Sequence, residues 1–208
     1  MKQVVLATKN RGKIAEFERL LHELADDIQV LGLTDFPDMP DVEETGATLT
    51  ENALLKSRAV AEFSGLPALA DDSGLFVDAL GGDPGVFSAR WAGEHGNDAA
   101  NTAKVLAQMA ELAASNPDLD RSASFRCVIA LSFPSTHPKA GEDLIEVGEM
   151  PGHLIQEVRG EGGFGYDPIF IPEGLALTSA EIDAAQKDEI SHRGRAMRRI
   201  APILIDLL

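Results

Sequence analysis

Gln3-Val4-Val5-Leu6-Ala7-Thr8 runs directly into Lys9-Asn10-Arg11-Gly12-Lys13, and Ile14, Phe17, Leu20, Leu21 and Leu24 then recur at helical spacing. The opening residues read as a short buried strand. The later recurrence puts one apolar stripe on a helix, with charged residues between. A strand, a polar turn and an amphipathic helix in that order are the start of an α/β layer protein. The chain continues in the same alternation. Ile28 to Leu33 reads as a strand, and Thr48 to Ser64 as a helix with Thr48 and Glu51 in capping-box spacing. Pro67 to Ala70 is an apolar strand ending at Asp71-Asp72-Ser73-Gly74, and Asn97 to Ala114 is a long Ala-rich helix. Ser122–Phe133 and Leu144–Val158 read as strands joined by a polar hairpin, Ile169-Phe170-Ile171 as a short strand, and the C-terminus as two helices parted near Ile190-Ser191. The expectation is an α/β fold with a mixed sheet.

The bulk composition bounds the function. The chain has 208 residues, of which 44% are hydrophobic and 25% charged, ordinary values for a globular protein. Eighteen Lys and Arg stand against 34 Asp and Glu, a formal charge of −16. A surface of that sign repels long polyanions, which excludes a nucleic-acid-binding module as the main reading. A few local cations and a metal ion can still hold a small anionic ligand. No apolar run is long enough to span a bilayer, no signal peptide is expected, and Cys127 is the single cysteine. These point to a cytoplasmic protein with no membrane partner. Cys127, within the apolar run Ser124–Leu131, reads as a small core residue rather than a nucleophile.

Four segments carry possible chemistry, and each has a bland reading beside it. Thr8 to Lys13 lies where a strand meets a helix, so free backbone N–H groups, Gly12 and Lys13 suit a phosphate. The same residues serve equally as a polar helix cap, because the GxxxxGK[ST] pattern is incomplete. Asp71-Asp72 suits a hard cation and a water-activating base, or a simple acidic turn. Gly162-Gly163-Phe164-Gly165-Tyr166-Asp167-Pro168 places two rings in a glycine-rich loop, to stack on a base or to plug the core edge. Ser191-His192-Arg193 puts positive charge at a helix start, with Ser191 as a candidate N-cap. That placement opposes the macrodipole and favours an anionic ligand. No histidine pair has metal-ligand spacing, and Trp91 reads as a core anchor rather than an interface residue.

Taken together the segments resemble the inosine triphosphate pyrophosphatase family, also called non-canonical purine NTP pyrophosphatases or dITP/XTP diphosphatases. The likeness rests on Leu6–Lys13, Glu43-Glu44-Thr45-Gly46, Glu51-Asn52-Ala53 with Lys56, Ala70–Leu75, Pro84–Arg90, Gly162–Phe170 and Ile190–Gly194, which keep the family's order along the whole chain. Two positions depart from the usual pattern. Lys9 stands where a small or polar residue is common, and Phe87 where tyrosine is common.

The resemblance implies a long mixed sheet flanked by helices, with two lobes around a central nucleotide-binding cleft. It implies one domain over 1–208, a homodimer, and Mg²⁺-dependent hydrolysis of dITP, ITP and XTP to monophosphate and pyrophosphate. Carried over by position, Thr8, Lys9, Asn10, Arg11, Gly12 and Lys13 would hold the triphosphate. Asp72 would accept a proton from water and, with Glu43, bind Mg²⁺. Ser73, Phe164, Gly165, Tyr166, Asp167, Lys187, His192 and Arg193 would contact the substrate. Two competing readings are open on these residues. A phosphatase of the haloacid-dehalogenase type wants its aspartates separated by one residue, whereas Asp71 and Asp72 are adjacent. A non-catalytic nucleotide sensor would not need the carboxylates.

Overall fold

The computed structural model describes residues 2–24 and 28–207, apart from the side chains of Arg11, His22, Glu23 and Leu24. The elements run β1 (Lys2–Leu6), α1 (Arg11–Leu24), β2 (Ile28–Gly32), α2 (Leu49–Ser64), β3 (Ala68–Val77), α3 (Asp98–Ser115), β4 (Ser122–Ser132), β5 (Leu144–Leu154), β6 (Phe170–Pro172), α4 (Ala184–Ile190) and α5 (His192–Leu207). Six strands form one mixed sheet in the order β2-β1-β3-β4-β5-β6. Strand β1 is parallel to both β2 and β3, while β5 and β6 are antiparallel. The α/β expectation holds, with the crossover helix α1 linking the parallel pair β1 and β2 as a βαβ connection requires.

The chain divides into two compact units. The first comprises Met1–Asp72, Cys127–Gly148 and Arg193–Leu208; the second comprises Ser73–Arg126 and Glu149–His192. Inside the first unit Phe17, Leu20 and Leu21 of the expected α1 stripe are buried, packing with Val4, Leu6, Leu69, Cys127, Ile129 and the α5 residues Met197, Ile200 and Leu204; Ile14 is partly buried against them, and the Leu24 side chain lies outside the described residues. Burying each such side chain is worth about 1.5–3 kcal/mol, which fixes α1 and α5 firmly against the sheet. Cys127 is a core residue, as its sequence context predicts. On the other side Val5, Ala7, Ala68 and Ala70 meet Val60 and Ala61 of α2. The second unit has its own core of Leu75, Val77, Val105, Met109, Phe125, Met150, Tyr166, Ile169 and Phe170. Trp91 packs half-buried against it, donating from Nε1 to Gln108 at 2.8 Å.

Helix α2 begins as its sequence dictates. Thr48 accepts from Glu51 N at 3.1 Å and the Glu51 carboxylate accepts from Thr48 N at 3.1 Å, a complete capping box. One expectation needs correction. Strand β3 does not end before Asp71-Asp72 but runs through both to Val77, because each carboxylate finds buried partners where a turn would have exposed it. Ser191 stands between the two C-terminal helices, closing α4 with its N–H donating to Lys187 O at 2.8 Å and immediately preceding α5. Among the described residues no helix is long and apolar enough to cross a membrane.

Candidate active site

Successive residues of a strand point to opposite faces, and β3 is covered on both. Asp71 therefore faces α1 and α5 while Asp72 faces α2. Asp71 is fully enclosed: Lys13 Nζ lies 2.9 Å and Arg193 Nε 3.2 Å from the same oxygen, Oδ2. Arg193 is itself buried and makes a very short bond through Nη1 to Glu16 of α1. Burial alone would raise the Asp71 carboxyl, but Lys13, Arg193 and Lys56 outweigh it and hold it far below the ordinary carboxylate range. Burial would likewise depress the Arg193 guanidinium, yet Glu16 and Asp71 push it upward, so it is permanently charged.

Asp72 sits in a different field. Asn52 Nδ2 donates to its Oδ2 at 3.2 Å, and Lys56 Nζ stands 3.5 Å from Oδ1. Lys56 is shared, donating to Glu44 at 2.7 Å and to the Asp71 carbonyl at 2.7 Å. Burial, followed by repulsion from Glu44, exceeds the help that Asp72 receives from Lys56 and Lys13, so its pKa is raised. Asn52 is also the anchor of the early acidic loop, since its Oδ1 accepts from Gly46 N at 2.8 Å. A Cβ at Gly46 would lie 2.7 Å from that oxygen, so only glycine allows the loop to close on Asn52. In this loop it is Glu44, half-buried, that reaches the Asp72 cluster; Glu43 is exposed.

The Thr8–Lys13 segment has the polar-cap geometry in full. Asn10 N donates to Thr8 Oγ1 at 3.2 Å, and Lys13 N donates to Asn10 Oδ1 at 3.1 Å, closing the start of α1. Lys9 is exposed and pairs with Asp41, and Lys13 is held by Asp71. The side chain of Arg11 lies outside the described residues.

Magnesium, implied by the family resemblance, can be tested against the donor chemistry. Among the described residues no three or more His, Cys, Asp or Glu gather as a metal cage. Mg²⁺ does not need one, because it keeps several waters and is held by a carboxylate or two together with substrate phosphates. Asp72, a buried carboxylate whose negative charge is incompletely offset and which has Glu44 near it, fits that demand.

In the second unit the glycine-rich loop is ordered by internal polar contacts. Asp167, buried at the start of a short 3-10 turn, accepts from Phe164 N at 2.8 Å and from Lys187 Nζ at 2.6 Å through one oxygen. A Cβ on Gly163 would fall 2.1 Å from that oxygen, and Gly163 has φ of 70°, so two constraints demand glycine there. Lys187 also lies 4.9 Å from the centroid of the half-buried Phe164 ring. Tyr166 is buried, with its hydroxyl donating to Ser88 O at 2.8 Å. Burial, with Asp98 adding to it, drives that phenol upward and keeps it a neutral donor. Gly165 N donates to Asp98 at 2.7 Å, and His192 stacks on Phe125 with centroids 5.0 Å apart. Ser73 is half-buried in β3 next to Asp72. Of the two rings in the loop, Tyr166 belongs to the core and Phe164 keeps part of its surface open.

The structure thus assembles Lys13, Asp71 and Arg193 as one cluster, Asp72 with Asn52, Lys56 and Glu44 as a second, and Phe164, Asp167 and Lys187 as a third. Asn52 and Lys56 carry no role in the sequence reading beyond the motif that contains them. Glu16 and Asp98 had no signal, since their partners lie 177 and 67 residues away in sequence.

Comparison with known proteins now decides the family. The Ham1 family model matches residues 4–203. This chain belongs to the Ham1 family. A Ham1 relative named dITP/XTP pyrophosphatase from Streptomyces coelicolor is 48% identical over 208 residues, covering 100% of both chains. One of the same name from Nocardia farcinica is 47% identical, covering 100% of this chain and 97% of the other. The solved HAM1 protein from Coxiella burnetii superposes with a TM-score of 0.85 at 45% identity, covering 99% of this chain and 100% of that one. The Ham1 protein of Staphylococcus aureus gives 0.82 at 40% identity, with 99% of each chain covered.

Proposed function

We propose that this Ham1 protein hydrolyses dITP, ITP and XTP to the nucleoside monophosphate and pyrophosphate, removing them from the pool used for DNA and RNA synthesis. The observation that carries the reading is the state of Asp72: a carboxylate 7% exposed, with raised pKa, oriented by Asn52 and Lys56. A base works best with a pKa nearer the working pH, so the raised value suits proton acceptance. Full-length relatives bearing the name dITP/XTP pyrophosphatase support the substrate class.

In this reading Asp72 takes a proton from water as the water oxygen bonds to phosphorus. The bond between that phosphorus and the bridging oxygen of the α–β linkage breaks, and pyrophosphate leaves. Mg²⁺, held by Asp72 with Glu43 or Glu44, would neutralise phosphate charge and acidify bound water. Thr8, Lys9, Asn10, Arg11, Gly12 and Lys13 hold the triphosphate, and Lys13 can exchange its bond to Asp71 for one to a phosphate oxygen. Arg193 neutralises Asp71 while that happens. Phe164 stacks on the purine, while Ser73, Gly165, Tyr166, Asp167, Lys187 and His192 contact or shape the substrate's surroundings. A pocket that donates to a 6-oxo group leaves a donor unpaired against a 6-amino group, which disfavours dATP. We read residues 1–208 as one functional domain acting as a cytoplasmic homodimer, which sedimentation velocity tests for assembly.

A nucleotide panel assayed for pyrophosphate, with Mg²⁺ and with chelator, tests the activity. Release from dITP, ITP and XTP but not dATP is expected, and loss with chelator. Orthophosphate as first product, or binding without turnover, overturns the reading.

A further inference from the structure

We propose that Asp98 and Thr102 of α3 are positioning residues that fix the base-reading loop by gripping both ends of Gly165, and thereby set purine selectivity. The proposal rests on the reading of Phe164 as the base-stacking residue. Asp98 Oδ2 accepts from Gly165 N at 2.7 Å, while Thr102 Oγ1 donates to Gly165 O at 3.3 Å. Residues four apart share a helix face, so both groups come from one rigid edge of α3. They engage the N–H and C=O of a single residue, which fixes the direction of the chain there as one bond could not.

Gly165 has φ of 62°, and nothing lies within 4 Å of the place a Cβ would occupy. Space would admit a side chain there, so it is the left-handed backbone that favours glycine, and α3 holds that backbone at both its N–H and its C=O. The residues on either side inherit the result. Phe164 N is set to meet Asp167 at 2.8 Å, and Tyr166 is turned inward to bond Ser88. Helix α3 is itself well founded. Asn97 caps Ala100 N at 3.1 Å, Asn101 bonds Ala92 N at 2.7 Å and Ala89 O at 3.2 Å, and Val105 and Met109 are buried. A site residue hung from a helix is held more closely than one left to its loop. Asp98 lies in the first turn of α3, where the helix dipole favours its charge, and a charged acceptor makes the stronger bond.

The test compares Asp98→Ala, Thr102→Val and Asp98→Asn with the wild type. The first readout is hydrogen exchange of the Gly165 amide. The second is kcat and KM for dITP and dATP. Asp98→Ala should speed exchange about tenfold or more, as expected for losing a charged hydrogen bond. It should raise KM for dITP about tenfold with little change in kcat, and lower the dITP to dATP preference by a similar factor. Thr102→Val should act in the same direction, less strongly. Asp98→Asn keeps an acceptor oxygen and should restore most of both. Unchanged Gly165 exchange in Asp98→Ala overturns the clamp. Faster exchange with unaltered KM and preference overturns its role in selectivity. Failure of the wild type to hydrolyse dITP would defeat the proposed function instead, and the exchange measurement would still decide whether the clamp exists.

Discussion

Asp71 and Asp72 are neighbours in sequence, are both buried, and have opposite fates. Asp71 meets Lys13 and Arg193 at one oxygen, and its charge is more than compensated. Asp72 meets an amide at 3.2 Å and a shared ammonium at 3.5 Å, with Glu44 nearby, and its charge is undercompensated. The difference comes from the pleat alone, which hands one carboxylate to α1 and α5 and the next to α2. A compensated buried charge holds structure together. An undercompensated one is costly to the fold and available for chemistry, the usual exchange of stability for function.

The largest effect that could break this contrast is on turnover. Asp72→Asn should lower kcat for dITP by a factor on the order of 10³, within the usual range for removing a general base. The same variant should melt at the wild-type temperature or above it, because it removes a poorly compensated buried charge. A clearly lower melting temperature would place Asp72 with Asp71 among the structural carboxylates. Next comes Asp71→Asn, which leaves Lys13 and Arg193 facing a neutral group inside the protein. Breaking a buried ion pair from one side costs about 3–5 kcal/mol, to be read from urea unfolding. If that variant unfolds at the wild-type urea concentration, the compensated cluster is not what holds α1, β3 and α5 together.

A smaller change sharpens the Asp72 side. Asn52→Ala removes the link from Gly46 to Asp72 and should destabilise by about 1–3 kcal/mol through the polar groups it leaves behind. It should also reduce kcat, since Asp72 loses its orienting donor; loss of stability with full kcat would make Asn52 merely a loop anchor. The gentlest comparison uses Asp143, a third carboxylate of the same unit. Burial would raise it, but bonds from Arg58 at 2.6 Å and Ser132 at 2.6 Å lower it. A depressed folded pKa stabilises above the unfolded value, about 3.9, and the benefit disappears as pH falls through the folded value. Asp143→Asn should therefore cost about 0.2–1 kcal/mol at pH 7 and less as the solution is acidified below the unfolded value. Arg58 is largely exposed, which keeps the figure at the low end. An equal cost at every pH would show that the charge is irrelevant.

Much of this was legible in the chain. The strand–turn–helix opening, the Thr48–Glu51 box and the α5 start at His192 follow from periodicity and capping, which act over a few residues. The length of β3 did not. Two aspartates and a glycine read locally as a turn, and it takes Lys13, Arg193, Asn52 and Lys56, brought in from elsewhere, to make a buried acidic strand tolerable. That Glu44 and not Glu43 reaches Lys56 was equally hidden, since an extended loop alternates sides and nothing local sets its phase. Glu16 and Asp98 act through partners supplied by the tertiary fold, so no spacing announces them. Family resemblance named the candidate site residues; it was the structure that separated Lys13 and Arg193, locked on Asp71, from Asp72.

The alternation along β3 also bears on how this protein can change over generations. Substitutions in a strand are negotiable one at a time, but length is not. A single residue inserted or deleted between Ala68 and Asp71 would turn every following side chain to the other face. A deletion would bring Asp72 to the place of Asp71, among Lys13 and Arg193, and an insertion would bring Asp71 to the place of Asp72, before Asn52 and Lys56. Either way both jobs would be lost in one step with both aspartates still present. Mutational scanning should find this strand more tolerant of conservative replacements than of any indel.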